Sequence, residues 1–98
     1  MTKTHYETYR DILDVLWRND DILFEEDYRE AMALTEAAKR LKDGWGNRIM
    51  DILNRAEDNQ LDQESLFDVQ ALTESVVRRY AEKEKKWDDF HKEFPWLD

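Results

Sequence analysis

Ninety-eight residues pass with only two glycines and one proline. Chain reversals in β-rich folds draw heavily on those two residues, so a chain this poor in them has few turns and long elements. The apolar residues fall at helical spacing. Tyr6, Tyr9, Leu13 and Leu16 mark one face of a first helix, expected from about Thr4 to Arg18. "THYE" reads as its capping box, with Thr4 reaching the amide of Glu7 and Glu7 reaching back. "NDD" at 19–21 stops this helix and caps the next. Phe24, Tyr28, Ala31, Leu34, Ala38 and Leu41 give a second helix from about Ile22 to Lys42, stopped at Asp43-Gly44. A third, from about Trp45 to Glu57, points Trp45, Ile49, Ile52, Leu53 and Ala56 inward. A fourth, from about Gln63 to Phe94, carries a heptad-like seam. It runs through Leu66, Val69, Val76, Tyr80, Trp87, Phe90 and Phe94, with Thr73 and Lys83 as polar interruptions.

The charges support the same assignment. Acid-to-base pairs four residues apart, in the favoured order, recur along the chain, as at Asp14–Arg18, Glu25–Arg29, Glu36–Arg40, Asp51–Arg55 and Glu74–Arg78. Each contributes only about 0.2–0.5 kcal/mol, so their value is diagnostic of helix rather than energetic. The expected fold class is all-α, with about four helices of unequal length in an irregular bundle with a long C-terminal helix. Residues 1–98 form a single all-α domain, which at this size buries roughly 60–70% of its unfolded surface. A charged fraction of 40% is high enough to suggest disorder, but twelve aromatic residues argue for a packed core.

At 1.5 Å per residue the fourth helix spans roughly 45 Å, the second roughly 30 Å and the others roughly 20 Å each. Equal rods are therefore excluded. Either the aromatic tail "KKWDDFHKEFPWLD" folds back on the first helix, whose own aromatics are Tyr6, Tyr9 and Trp17, or it overhangs and meets another molecule. Lysine at 83, inside the seam, fits a seam that loosens there, and equally a side chain that snorkels.

Cysteine is absent, which excludes disulfides and thiolate metal sites. The longest apolar run is four residues, "AMAL", and the start of the chain has no signal-peptide core, so a cytoplasmic protein is expected, with no membrane partner. The net charge is −9: residues 1–30 hold nine acids against four bases, 31–60 five against five, and 61–98 ten against six. The densest acidic stretch is "DDILFEEDYRE". First-turn acids favour a helix amino end, which explains Asp20, Asp21 and Glu25. Glu26, Asp27 and Glu30 extend the negative field into a second turn, where that explanation stops. A docking face for a basic surface explains them, and disfavours direct nucleic-acid binding. Arg78, Arg79, Lys83, Lys85 and Lys86 form a smaller basic group on the fourth helix, expected to pair with acids of residues 20–30 within one molecule or between two.

Catalytic patterns are scarce. His5 and His91 are the only histidines, and Asp88 with His91 is too small a set for a metal centre. Glycine-rich phosphate loops and nucleophile elbows are missing. No catalytic, cofactor-binding or metal-binding residues are expected, and no cofactor. The expected function is a small acidic, non-enzymatic protein that binds another protein with a basic surface, one that handles nucleic acid, and modulates it by inhibition. Asp21, Glu25, Glu26, Asp27 and Glu30 would steer, while Trp87, Phe90 and Trp96 would anchor. The alternative is a structural homodimer or larger homo-oligomer assembled on the seam of the long helix.

Overall fold

The computed structural model describes residues 4–18, 22–56 and 60–93; the side chains of residues 84 and 86–93 lie outside the described set. Four helices follow in order: α1 His5–Leu16, α2 Glu25–Lys39, α3 Trp45–Asn54 and α4 Gln63–Glu93. Each packs against the next, and α4 closes the ring against α1. Long-range bonds fix the directions. His5 meets Tyr80 while Leu16 meets Gln70, so α1 and α4 are antiparallel. The Tyr28 hydroxyl donates to the Leu53 carbonyl, which sets the start of α2 beside the end of α3. The result is an up-down-up-down bundle. Its lower end gathers the end of α1, the start of α2, the end of α3 and the start of α4. Its upper end gathers the start of α1, the end of α2, the start of α3 and the middle of α4.

The expected faces form the core. Tyr9, Leu13 and Leu16 are buried on α1, Tyr28, Ala31 and Ala38 on α2, and Ile49 and Leu53 on α3. Leu66, Val69, Thr73 and Val76 are buried on α4. The stripe on α1 is wider than expected: Ile12 and Val15 are buried too, because α1 touches both α2 and α4. Thr73, the polar interruption in the seam, donates its hydroxyl to the Val69 carbonyl at 2.7 Å, and Thr35 does the same to Ala31. A hydroxyl bonded within its own helix can sit in an apolar seam without a desolvation penalty.

Helix ends depart from expectation in instructive ways. Thr4 does cap α1, accepting the Glu7 amide at 3.1 Å. Asp62 caps α4, its carboxylate accepting the Ser65 amide at 2.7 Å. That bond, and one with the Ser65 side chain, hold the Asp62 carboxyl below the usual carboxylate range. Helix α2 starts at Glu25, three residues later than the periodicity implies, with Phe24 as a cap that has no side-chain bond. The reason is Leu23. It is extended, and its amide donates to the Leu61 carbonyl in an isolated antiparallel bridge. Leu23 and Leu61, both fully buried, plug the lower end of the core. Extended backbone turns successive side chains to opposite sides. With Leu23 inward, Ile22 and Phe24 point out, and Phe24, expected on the buried face of α2, is 58% exposed.

The turn from α2 to α3 is tight. Lys42 and Gly44 both take the left-handed conformation, with φ of 57° and 84°. Gly46 then brings α3 against the end of α2: a Cβ there would lie 2.7 Å from the Lys39 nitrogen and 2.8 Å from the Ala38 carbonyl carbon. Backbone cannot give way as a side-chain tip can. Gly46→Ala is expected to lower stability by about 1–3 kcal/mol through overpacking. Gly44→Ala, whose Cβ would meet open space, is expected to cost about 1–2 kcal/mol from the left-handed φ alone. Urea unfolding midpoints of the two variants measure the contrast.

Candidate functional site

The two ends of the bundle differ in chemistry. The large exposed hydrophobic side chains among the described residues all belong to segments at the lower end: Trp17 at the end of α1, Ile22 and Phe24 before α2, and Phe67 near the start of α4, the last 68% exposed. An open groove of about 480 Å³ lies beside Ile22, lined by Ala56 and Leu61 and by the polar Arg55, Asp62 and Ser65. Glu25, Glu26 and Asp27 occupy the first turn of α2 at this same end, with Glu30 one turn on.

The acids expected to steer a partner are only partly free. Glu25 pairs with Arg29. Arg18, at the end of α1, reaches across to Glu30 at 2.8 Å and to Asp27 at 3.6 Å. Sequence spacing paired Arg18 with Asp14, but Asp14 meets Arg10 instead, at 3.4 Å. The field of Asp27 and Glu30 is thus partly offset by one guanidinium, while Glu26 is exposed. Asp21 and Trp96 lie outside the described residues. Trp87 and Phe90 belong to α4, which runs on to Glu93, but their side chains are not among those described. Because α1 begins level with Tyr80, Trp17 stands at the lower end, while α4 runs the other way to Glu93. The expected choice between a tail folded back on α1 and one that overhangs falls on residues 94–98 and on side chains outside the described set.

The upper end holds a polar cluster that sequence reasoning missed. Asp43, in the turn between α2 and α3, accepts hydrogen bonds from the Tyr9 and Tyr80 hydroxyls, each at 2.6 Å, and from the Trp45 amide at 3.1 Å. His5 Nδ1 lies 3.0 Å from the Tyr80 hydroxyl and 3.6 Å from Asp43 Oδ2. The rings of Tyr9 and Tyr80 stack 5.8 Å apart. Asp43 itself is 13% exposed. Burial alone would raise its carboxyl, but the hydrogen bonds from Tyr80, Tyr9 and Trp45, with His5 beside it, bring it below its ordinary range. Burial, the bond to Asp43 and the charge of Asp43 raise both phenols, Tyr80 to about 12. The signal in the sequence was only "KDGWG", which reads as a helix stop; the partners are 34 and 37 residues away.

Around this cluster lie cations on aromatic rings. Arg48 and Arg79 sit 5.2 and 5.3 Å from the centre of the Trp45 ring, and Lys83 sits 5.4 Å from that of Tyr80. Lys83, the second interruption in the seam, is exposed and lies over its own helix.

Among the described residues no group of three or more His, Asp or Glu side chains is arranged to hold a metal ion, and no helix is long and apolar enough to cross a membrane. No family model, no curated protein and no solved structure matches the chain.

The cluster has a defined pH signature. Tyr80 is raised on folding, so its contribution to stability is complete below its unfolded value near 10 and is lost as pH rises through about 12. Asp43 is lowered, so its contribution is complete above its unfolded value of 3.8 and is lost as pH falls below it. Asp43→Asn is expected to remove about 1.5–3 kcal/mol at neutral pH, the usual worth of hydrogen bonds to a charged group. Ultraviolet titration of the phenols, followed in the same variant, should move Tyr80 back toward its ordinary value.

Proposed function

We propose that this chain is a non-catalytic cytoplasmic binding protein that docks through the lower end of its bundle onto another protein with a basic surface and modulates that protein by occupying it. A protein that handles nucleic acid is the natural class of partner, since its basic groove presents the complementary charge. The observation that carries this reading is the concentration of exposed large apolar side chains, Trp17, Phe24 and Phe67, at the end that also carries Glu25, Glu26 and Asp27. Apolar anchors ringed by charge are the usual composition of a specific interface, the anchors supplying affinity and the charge supplying steering and exclusion of wrong partners. Phe24 and Phe67 replace Trp87 and Phe90 as anchors in this reading, because both belong to the end of the bundle that carries the acids. Glu26, exposed, leads the steering; Glu30 and Asp27, both held by Arg18, add less.

A second reading, self-assembly on the seam of α4, is favoured by one observation. From Tyr80 to Glu93 the helix continues past the start of α1, a stretch of roughly 20 Å. Trp87 and Phe90 lie on that stretch in sequence.

Affinity capture from the native cell, followed by reconstitution with the purified partner, tests the first reading. Phe24→Ala with Phe67→Ala is expected to weaken binding at least tenfold while leaving the melting temperature nearly unchanged, because both rings are exposed. Glu26→Lys with Glu30→Lys is expected to weaken it further and to flatten its salt dependence. An affinity indifferent to all four substitutions would refute the lower end as the docking site.

A further inference from the structure

The upper end carries the opposite chemistry, and docking through the lower end leaves it without a role. Arg48 of α3 and Arg79 of α4 converge on one indole, that of Trp45, and Lys83 follows Arg79 one turn along α4, over Tyr80. All three cations are exposed. Among the described residues none of the three has an ion-pair partner, whereas Arg10, Arg18, Arg29, Lys39 and Arg78 each do. A guanidinium laid against an aromatic ring keeps its N–H edges available to carboxylates while its rotamers are restricted, so less entropy is lost on pairing.

We infer that the row Arg48–Arg79–Lys83, on its Trp45 and Tyr80 platform, is a docking surface for the acidic start of α2 in a second copy of this chain. The inference rests on the reading of the lower end given above and names one occupant for it. Charge complementarity selects that occupant. Arg79 and Lys83 are one helical turn apart on α4, and Glu26 and Glu30 are one turn apart on α2, so both rows repeat every 5–6 Å or so; Glu30 exchanges or shares its exposed partner Arg18 when it joins the contact. The two rows lie at opposite ends of the same bundle and cannot meet within one molecule. Lower end against upper end is a heterologous contact, which leaves one free surface of each kind on the pair and propagates as an open chain. Nucleic acid is the other ligand three cations suggest, but a chain of net charge −9 repels a polyanion along its whole length, while a second copy presents only its acidic end at the contact. Two copies also repel through their net charge. That repulsion is spread over a molecule 54 Å long, and a Debye length of about 8 Å at 0.15 M ionic strength screens it, whereas the contacting charges lie within that length.

Sedimentation velocity over a concentration series tests this directly. At about 0.15 M ionic strength the wild-type sedimentation coefficient is expected to rise with concentration; at about 1 M, where the Debye length falls to about 3 Å, it should remain that of the monomer. Arg48→Gln with Arg79→Gln, and separately Glu26→Lys with Glu30→Lys, should each be monomeric throughout, with helix content unchanged by circular dichroism. Mixed together they should form a dimer and nothing larger, because only one surviving pair of surfaces remains. A wild type that stays monomeric, an arginine variant that still associates, or a mixture without a dimer overturns the inference. If the wild type is monomeric while the glutamate variant loses its captured partner, the inference alone fails. If the copies associate as described but partner capture ignores Glu26 and Glu30, the docking function alone fails. A fluorescein-labelled oligothymidylate that binds the monomeric wild type and is lost on Arg48→Gln with Arg79→Gln would assign the row to polyanions instead.

Discussion

One carboxylate sets the register of this bundle. Asp43 takes hydrogen bonds from Tyr9 on α1, Tyr80 on α4 and the first amide of α3, and it sits in the turn that ends α2. The apolar seam of α4 repeats nearly every turn through Leu66, Val69, Thr73 and Val76, and a repeating seam tolerates a slip of one turn far better than a directional contact does. A slip of about 5.4 Å would break both phenol bonds to Asp43 at once. Each hydrogen bond to a charged group contributes about 1.5–3 kcal/mol, and a slip forfeits both at once. Burial supplies most of the stability here; the polar cluster selects one alignment. Placing Tyr80 level with the first turn of α1 sends the rest of α4 past that helix.

The lower end is closed by different means. Leu23 and Leu61 come from the two long connections and meet through a single backbone bond, so the plug is apolar and its neighbours in sequence are forced outward. The outward position of Ile22 and Phe24 follows from that alternation rather than from any requirement of the core. A fold needing only a lid could have had polar residues at those two positions at no cost. That both are large and apolar, at the same end as Trp17 and Phe67, is what the proposed interface rests on.

Periodicity made the four helices and their buried stripes legible, since Tyr9, Leu13, Ile49, Leu66 and Val76 are placed by spacing alone. The connections were not legible, because their structure depends on pairings across the chain. Leu23 looks like the first turn of a helix until Leu61 claims it. Asp43 looks like a stop signal until two distant tyrosines reach it. Arg18 matches Asp14 in spacing, but stands at a helix end where the neighbouring helix offers Glu30 and Asp27. The acidic stretch was legible as a patch and illegible in detail, for the same reason: its neutralisation comes from another helix.

Net charge conceals the polarity of the molecule. Helix α2 has acids in its first turn and Lys39 in its last, as its dipole favours, and in an antiparallel bundle a neighbour built the same way would cancel that arrangement. Helix α3 is not built the same way. It has no acid in its first turn and places Arg48 there, where a cation costs about 0.3–1 kcal/mol against the dipole. Helix α4 then brings Arg79 to the same level, midway along its length rather than at its carboxyl end. Register, fixed through Asp43 and Tyr80, is what aligns the two. Cation–π contact with Trp45 offsets the local penalty, at about 0.5–1 kcal/mol for an exposed pair, but an uncharged side chain at residue 48 would have avoided it. A local rule broken with only partial compensation is expected where a surface serves something other than stability, and the break falls on the row proposed above to dock a second copy.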